Sequence, residues 1–344
     1  MNLGIIALAN DSGLGAQTRR LTYMLKPSRV MVIDSSSFSK NSVQHFDWYE
    51  NFSGYRVNGF PTTREMRIFI KGLTHVLVCE NPFNFSLLSD AKRQGTKVYI
   101  QSNYEFCDHL INDLTPPYKF LMPSYWHINT MKERFGDNTV MYLPPPIDVN
   151  EFNVSRETNL ARKDKKKFLH IVGTLAANDR NGTLSILEAM KHAKADFDLI
   201  IRSQHELPEN YIIHDRRVKY IIENVKDAQE MYNDFDALIL PRRYGGLSLT
   251  TNEALMSAMP VVMPDISPNN ELLPKDWLIP ARRIGDFIAR TPIEIFEADA
   301  RLLAEKMDWM AQNDISNWKL DAYNLAYESF SFTKLLPKYL EIFD

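Results

Sequence analysis

Short apolar runs alternate with amphipathic stretches throughout the first part of the chain. Each run has the length of a buried strand, and the stretches between them, such as Phe83 to Gln94 and Tyr125 to Phe135, have the apolar spacing of helices. Strands that alternate with helices indicate a parallel sheet covered on both faces, the doubly wound α/β arrangement. The predicted strands are Leu3 to Ala9, Val30 to Asp34, His75 to Cys79, Lys97 to Gln101, Tyr118 to Met122 and Val140 to Leu143.

A second series of the same kind follows an interruption in the pattern. Three prolines at 144–146 and a charged stretch at 162–167 separate the two series and indicate a linker. The pattern becomes mostly helical from about residue 300 and closes with Phe332 to Phe343. We therefore predict α/β domains over residues 1–155 and 165–325, with residues 326–344 as a helix that packs back on the first domain. The strands predicted for the second domain are Phe168 to Val172, Phe197 to Ile201, Val218 to Ile222, Ala237 to Leu240 and Pro260 to Met263.

The composition is that of an ordinary globular protein. A chain of 344 residues exceeds what one hydrophobic core usually covers, which agrees with two domains. Its 44% hydrophobic and 24% charged residues exclude a disordered or fibrous chain, and a net charge of −3 does not predict a nucleic-acid partner. The first apolar run is too short to span a bilayer, and Cys79 and Cys107 form no CxxC pattern. We expect a cytoplasmic protein, or one of the host cytoplasm if a phage encodes it, without a transmembrane segment, disulfide framework or zinc site.

A glycine pair and a helix start follow the predicted strand Ala237 to Leu240. Because open α/β sheets bind ligands at the carboxyl ends of their strands, this region is a candidate site. Glu253 lies near the helix start, where its carboxylate can accept two hydrogen bonds from ribose hydroxyls. The simpler interpretation of Glu253 is an exposed carboxylate that only complements the helix dipole. Backbone N–H groups and hydroxyls suited to a diphosphate at a helix N-terminus are those of Gly245, Gly246, Thr250 and Thr251.

The same region contains EMYNDFDALILP at 230–241, GGLSL at 245–249 and EALMSAMPVV at 253–262, with further notable pieces at 143–152 and 172–175. Together these stretches resemble the donor-site signature of the retaining GT-B glycosyltransferases of family four. The resemblance implies two Rossmann-like domains that face a cleft, with residues 1–155 as the acceptor domain and residues 165–325 as the nucleotide-sugar donor domain. It implies a C-terminal helix that crosses back and transfer of a sugar from a nucleotide-sugar. It also implies retention, a UDP-sugar as the expected co-substrate, and no tightly bound cofactor. The donor contacts that it implies are Gly173, Thr174, Arg180, Gly245, Gly246, Leu249, Thr250, Thr251 and Glu253.

Two positions depart from the family's pattern. In its E-x7-E motif the second Glu corresponds to Glu253, but the first, which resembles a contact to the donor sugar, corresponds to Gly245. This loss suggests an unusual donor such as a pentose or a modified hexose. The family's usual Arg corresponds to Thr174, so Arg180 in the following loop becomes the candidate cation. Its charge would neutralise the departing diphosphate, and we take Arg180 and Glu253 as the candidate catalytic residues.

Alternatives remain for these cations and for a glycine-rich turn near the N-terminus. Arg242 and Arg243 are the alternatives to Arg180, which can also be a surface residue without a ligand role. The turn at 10–15 follows the first strand, and the family uses the matching loop near the phosphates and the acceptor, so Gly13 and Gly15 are further contact candidates. Each of these glycines can equally serve a tight turn needed for packing.

Two D-x-D patterns, at 196–198 and 234–236, raise the question of a metal. Such a pattern binds divalent cations in another glycosyltransferase fold. Here both patterns lie where a helix leads into a strand, opposite the strand ends that bind ligands. We therefore expect structural junctions and no metal site.

The function that these observations favour is glycosyl transfer, by a hexosyl- or pentosyltransferase, to an acceptor hydroxyl. The acceptor is expected to be a glycan, a glycolipid or a small molecule. One alternative is a hydroxymethylated base in DNA, as in phage DNA-modifying enzymes, which predicts a basic cleft and an extruded base. Another is a nucleotide-sugar binding protein without turnover, which the missing first Glu makes worth testing.

Overall fold

A computed structural model describes residues 1–39, 42–106, 115–173, 175, 178–223, 225 and 227–344. The chain divides into two compact units. Unit 1 comprises Met1–Pro146 with Phe332–Asp344, and unit 2 comprises Ile147–Ser331. The charged stretch at 162–167, interpreted from the sequence as part of a linker, lies inside unit 2.

Unit 1 is built on a seven-stranded parallel sheet with the order β3-β2-β1-β4-β5-β6-β7. One face of the sheet packs against α2, α3 and α4, and the other packs against α1 and α12. The strands are β1 Leu3–Leu8, β2 Arg29–Asp34, β3 Gly54–Asn58, β4 His75–Cys79, β5 Lys97–Gln101, β6 Lys119–Met122 and β7 Val140–Tyr142. The helices are α1 Gly13–Leu25, α2 Thr63–Ile70, α3 Ser86–Gln94, α4 Ile128–Phe135 and the C-terminal α12 Phe332–Phe343.

Unit 2 repeats this plan with a six-stranded parallel sheet of order β10-β9-β8-β11-β12-β13 and a separate antiparallel hairpin, β14-β15. Helices α6 and α10 cover one face, and α8 and α11 cover the other. The strands are β8 Lys167–Ile171, β9 Asp198–Ser203, β10 Val218–Ile222, β11 Ala237–Ile239, β12 Val261–Pro264, β13 Leu278–Ile279, β14 Ala281–Ile288 and β15 Pro292–Ala298. The helices are α5 Asn153–Ala161, α6 Thr183–Met190, α7 Ala228–Met231, α8 Leu249–Met256, α9 Asn269–Leu272, α10 Ala300–Gln312 and α11 Ser316–Phe330.

The C-terminal helix α12 is held to the sheet of unit 1 by buried polar contacts as well as by apolar packing. The Tyr99 hydroxyl donates to the Ile342 carbonyl at 2.7 Å, and Gln101 Nε2 donates to the Tyr339 hydroxyl at 2.7 Å. The Tyr339 hydroxyl in turn donates to the Pro144 carbonyl at 2.9 Å. Because buried polar groups are costly unless they are bonded, these contacts fix the position of the helix.

The predicted fold class is confirmed: both units are doubly wound α/β sheets, and a C-terminal helix is present. The sequence pattern missed the two-residue β13, and it also missed β3 and the β14-β15 hairpin. Both β3 and the hairpin carry charged or polar residues at positions open to solvent, such as Arg56 in β3 and Arg283 in β14, and so they lack a continuous apolar run. Among the described residues, no helix has the length and apolar composition needed to cross a bilayer.

The two D-x-D patterns form ion pairs at the amino ends of strands in unit 2. Asp236, fully buried before β11, accepts from Arg162 Nε at 2.9 Å and from Lys319 Nζ at 2.7 Å. Asp196 and Asp198 both pair with Lys165 at 2.9 Å. Desolvation acts to raise the pKa of Asp198, but hydrogen bonds from two lysines outweigh it and lower that pKa. These carboxylates therefore pair with cations at the amino ends of β9 and β11.

Removing Asp236 is expected to destabilise unit 2 strongly. Asp236→Ala leaves the Lys319 ammonium, whose side chain is 3% exposed, without its carboxylate, and breaking a buried pair in this way costs about 3–5 kcal/mol. The matched control is Asp196→Ala, because Asp196 is 69% exposed and an exposed pair contributes about 1 kcal/mol or less. Urea denaturation followed by circular dichroism measures both free energies of unfolding. Equal losses in the two variants would contradict this account of the junction.

Candidate functional site

The candidate site in unit 2 begins at the carboxyl end of β11, where residues 240–248 lead into α8. Ser248 is the N-cap of α8, and its hydroxyl accepts from the Thr251 backbone N–H at 3.3 Å. The buried Thr251 hydroxyl donates to the same Ser248 oxygen at 2.9 Å. Leu249 and Thr250 are half-buried in the first turn. Thr251 therefore stabilises the helix start, a role that the sequence pattern did not predict for it.

Glu253 lies in the second turn of α8 and is only 8% exposed. Its Oε2 accepts from the Tyr232 hydroxyl at 2.8 Å, and Tyr232 is itself buried. The backbone of Tyr232 is held by Asn159, whose Nδ2 donates to the Tyr232 carbonyl at 2.9 Å. Because Glu253 is buried and bonded, the interpretation as an exposed carboxylate that complements the helix dipole does not fit. The carboxylate instead has a fixed orientation.

Gly245 lies between two arginine side chains. Its φ is 112°, a backbone conformation that favours glycine. A Cβ atom at this position would lie 2.8 Å from Arg180 Nε and 2.8 Å from Arg242 Nη2. Two guanidinium groups thus flank the position at which the family's first Glu is expected. Guanidinium groups are well suited to phosphate and carboxylate ligands, since they donate in a planar fork.

Both arginine side chains contact residues of the loop after β11. Arg242 is buried, and it donates from Nε to the Tyr244 carbonyl and from Nη2 to the Leu247 carbonyl, each at 3.1 Å. The Arg180 guanidinium lies 5.2 Å from the centroid of the Tyr244 ring. The backbone N–H of Arg243 donates to the Arg180 carbonyl at 2.8 Å. The loop that carries Arg180 is therefore tied directly to the loop after β11.

The β14-β15 hairpin supports this loop from the other side. The backbone N–H of Phe296 donates to the Arg243 carbonyl at 3.0 Å. The Phe287 ring meets the Tyr244 ring edge to face, with centroids 4.9 Å apart. Tyr244 thus packs between the hairpin and Arg180. No feature of the sequence pattern indicated this support, because the hairpin itself was not predicted.

The loop between β8 and α6 contains the remaining donor candidates. Gly173 has a φ of 68°, and a Cβ there would lie 2.7 Å from Asn181 Nδ2. The Asp179 carboxylate accepts from the backbone N–H groups of Thr183 and Leu184, each at 2.9 Å. Asp179 therefore caps α6. It occupies N–H groups at the helix N-terminus to which a ligand phosphate would otherwise bind. Thr174 lies outside the described residues.

The glycine-rich turn of unit 1 has a clear packing role. The Ser12 hydroxyl caps α1 by accepting from the Gly15 N–H at 3.1 Å, and Gly13 is the first residue of the helix. A Cβ at Gly15 would overlap the Asn10 carbonyl oxygen. Glycine at position 15 is therefore required by the close approach of α1 to the end of β1.

Cys107, the second cysteine of the sequence, lies outside the described residues.

The described residues contain no group of three or more His, Cys, Asp or Glu side chains arranged to hold a metal ion. The groups that the site does present are the Glu253 carboxylate, the Arg180 and Arg242 guanidiniums, and the backbone of Gly245 and Gly246. All of them lie in unit 2: Arg180 and Arg242 flank Gly245 after β11, and Glu253 lies on the helix α8 that follows. A carboxylate for hydroxyls and cations for phosphates together match the chemistry of a nucleotide.

Comparisons with known proteins agree with this assignment of the fold. Residues 166–295 match the family model of group 1 glycosyl transferases. No curated protein matches the chain significantly in sequence. A glycosyltransferase from Rickettsia africae is 14% identical, with a TM-score of 0.66 over 99% of this chain and 97% of that one.

Two further solved structures are similar over nearly their whole length. Sucrose-phosphate synthase from Thermosynechococcus elongatus is 11% identical, with a TM-score of 0.70 over 99% of this chain and 98% of that one. HepE from Anabaena, in complex with UDP and glucose, is 10% identical, with a TM-score of 0.67 over 98% of both chains. The chain therefore has the GT-B fold, and its residues 166–295 carry the sequence pattern of the group 1 glycosyl transferases.

Proposed function

We propose that this protein is a glycosyltransferase that moves a sugar from a nucleotide-sugar, with UDP as the expected nucleotide, to an acceptor hydroxyl. The observation that carries the proposal is the arrangement around the carboxyl end of β11. The guanidinium groups of Arg180 and Arg242 flank Gly245 in the loop after β11. The buried carboxylate of Glu253 lies on α8, the helix into which this loop leads. Strand ends of this kind are where open α/β sheets bind nucleotides.

Each group has a role in this proposal. The Glu253 carboxylate accepts hydrogen bonds from the ribose hydroxyls, and the Tyr232 hydroxyl holds it in the required orientation. A carboxylate has about four acceptor positions, so the bond to Tyr232 is compatible with ribose binding. Arg180, with Arg242, binds the diphosphate beside the backbone of Gly245 and Gly246. UDP is chosen as the nucleotide because HepE, a different protein with the same fold, was solved with UDP and glucose.

The reaction breaks the bond between the anomeric carbon and the diphosphate oxygen and forms a bond from that carbon to the acceptor oxygen. Retention is carried over from the resemblance to family four. In that route the acceptor hydroxyl attacks the face from which the diphosphate departs, and its proton passes to the departing phosphate oxygen. No enzymic nucleophile is needed. The cations at Gly245 stabilise the negative charge that develops on the leaving group, which is the kind of term that often dominates catalysis.

The residue at position 245 is the basis of our inference about the donor sugar. A Glu at this position would accept hydrogen bonds from sugar hydroxyls, whereas arginine side chains only donate. The two guanidiniums beside Gly245 also occupy part of the space that a Glu side chain would need. We infer that the donor sugar lacks the hydroxyl arrangement that the family's first Glu recognises, as a pentose or a modified hexose would.

A turnover panel tests the proposal. We expect the wild-type protein to hydrolyse one UDP-sugar slowly in the absence of acceptor, and to prefer it over GDP- and ADP-sugars. Release of UDP, measured by a coupled assay over hexose and pentose donors, identifies the sugar. Efficient use of UDP-glucose over every pentose and modified hexose would refute the inference about the sugar. Binding of a UDP-sugar without any release of UDP would instead identify a nucleotide-sugar binding protein.

A further inference from the structure

Three phenylalanine rings form an aromatic surface on unit 1, which we call the phenylalanine platform. Phe38 follows β2, Phe60 follows β3 and Phe83 follows β4. The Phe38 and Phe60 rings stack with centroids 4.7 Å apart, and the Phe60 and Phe83 centroids are 6.5 Å apart. Because the three strands are parallel, all three rings lie at the carboxyl edge of the sheet, where such sheets bind ligands.

The platform is exposed and is held in place by its loops. Phe60 is 61% exposed and Phe38 is 42% exposed, which is unusual for two rings that already touch. The loops that carry Phe60 and Phe83 are joined by Asn84, whose Nδ2 donates to the Pro61 carbonyl at 2.8 Å. The backbone N–H of Gly59 donates to the Asp34 carbonyl at 2.9 Å. The rings are therefore presented on fixed backbone and do not fold into the core.

The described residues that carry the platform are polar and almost uncharged. Lys40, in the loop of Phe38, lies outside the described residues, and Arg64 is exposed on α2 just after the loop of Phe60. The described residues of these loops, 35–39, 58–62 and 80–84, contain no Lys or Arg and one carboxylate, Glu80. The nearest strand cation, Arg56, pairs with Asp34 and lies 3.5 Å from the centroid of the Phe46 ring. A nucleic-acid surface needs cations for its phosphates, and these three described stretches supply none. The exposed side chains of the rim are those of Ser36, Ser37, Asn58 and Thr62.

The platform lies beside the glycine-rich turn at 10–15, which the sequence pattern predicts as a ligand contact. In the sheet order β3-β2-β1-β4, the turn after β1 lies between the loops of Phe38 and Phe60 on one side and the loop of Phe83 on the other. Asn10 in that turn donates from Nδ2 to the Ser35 hydroxyl at 2.8 Å. Neighbouring strands are only about 4.8 Å apart, so a molecule on the platform also reaches this turn.

We propose that the phenylalanine platform is the acceptor subsite and that it binds a sugar ring of a neutral glycan or glycoside. One face of a sugar ring presents C–H groups with slight positive charge, which pack well on the negative face of an aromatic ring. The hydroxyls at the ring edge match the uncharged donors and acceptors of the rim. This inference rests on the proposed transferase function and specifies the class of its acceptor.

Binding of neutral oligosaccharides tests the proposal directly, without a donor. The probes are maltotriose, cellotriose and chitotriose, observed by saturation-transfer NMR with the wild-type protein and three variants. Phe60→Ala removes the most exposed ring, and Phe60→Trp restores an aromatic face. Tyr23→Ala is the matched control, because Tyr23 is 46% exposed on α1 of the same unit but lies near the other end of that helix.

We expect at least one oligosaccharide to bind the wild type, Phe60→Trp and Tyr23→Ala alike, and Phe60→Ala to bind it about tenfold more weakly. Circular dichroism should show all variants folded, since Phe60 is not in the core. Absence of binding by the wild type, or unchanged binding by Phe60→Ala, would overturn the proposal. A different result would also overturn it: the wild type binds a hydroxymethylcytosine DNA duplex and no oligosaccharide, and Phe60→Ala loses that binding. The ligand of the platform would then be a DNA base and not a sugar.

Donor hydrolysis separates this inference from the proposed function. Tyr23→Ala, which lies outside the platform, should hydrolyse the donor at the wild-type rate. If the wild type hydrolyses no nucleotide-sugar, the transferase function fails, while the oligosaccharide result still reports on the platform. If hydrolysis is normal and no oligosaccharide binds, only the acceptor assignment fails.

Discussion

Replacing Glu253 by alanine is expected to raise the KM for the nucleotide-sugar about 100- to 10,000-fold, because two charge-assisted hydrogen bonds of about 1.5–3 kcal/mol each are lost. These are the bonds from the ribose hydroxyls to the buried carboxylate. The same change leaves the Tyr232 hydroxyl without the acceptor that it has at 2.8 Å. We therefore also expect a loss of about 1–3 kcal/mol in the free energy of unfolding. Initial rates over a range of donor concentrations, together with urea denaturation, measure both effects.

Two variants separate ligand binding from stability at this position. Glu253→Gln keeps an acceptor for Tyr232 but removes the charge, so the protein should be more stable than Glu253→Ala and still bind the donor weakly. Tyr232→Phe keeps the carboxylate and removes only the bond that orients it, so we expect KM to rise by about tenfold or less. A wild-type KM in Glu253→Ala would show that this carboxylate does not bind the donor.

Arg180→Ala is expected to lower kcat about 100- to 1000-fold, because removal of one preorganised group that stabilises developing charge has an effect of this size. The diphosphate gains negative charge as the glycosidic bond breaks, so the loss should fall on kcat more than on KM. Arg180→Lys keeps the charge but loses the planar fork and should recover only part of the rate. Steady-state kinetics with the donor from the panel measures these effects.

Controls for this prediction come from two other arginines. Arg282 lies on the hairpin with its side chain 80% exposed, and Arg282→Ala should keep the wild-type kcat. Arg242 donates to the Tyr244 and Leu247 carbonyls, so Arg242→Ala should lower stability as well as activity. If kcat survives in Arg180→Ala and falls in Arg242→Ala, the diphosphate cation is Arg242 and not Arg180.

The fold could be predicted because its central strands are buried on both faces. Runs such as His75–Cys79 and Lys97–Gln101 have the same bounds in the structure as in the sequence pattern. Burial on both faces requires a continuous apolar run, and this is a signal that a single sequence carries. The edge strand β3 and the β14-β15 hairpin lack it because one side of each faces solvent.

The site was less accessible to sequence reasoning, because its contacts join residues far apart in the chain. The motif around Glu253 identified the carboxylate, and the position of the residue on α8 follows from the pattern. The bond from Tyr232 to Glu253 and the approach of Arg180 to Gly245 depend on the folded structure, because each joins residues that are far apart in the chain. Tyr232 does lie within the stretch at 230–241 that resembles the family, and this was the available signal. The support that Phe287 gives to Tyr244 had no such signal.

The most direct test of the central claim is a crystal structure of the protein with UDP. The account predicts that the ribose hydroxyls of UDP bind the Glu253 carboxylate and that the diphosphate lies beside Gly245, in contact with Arg180 or Arg242. UDP bound away from the carboxyl end of β11, or crystals that take up no UDP at saturating concentration, would contradict it.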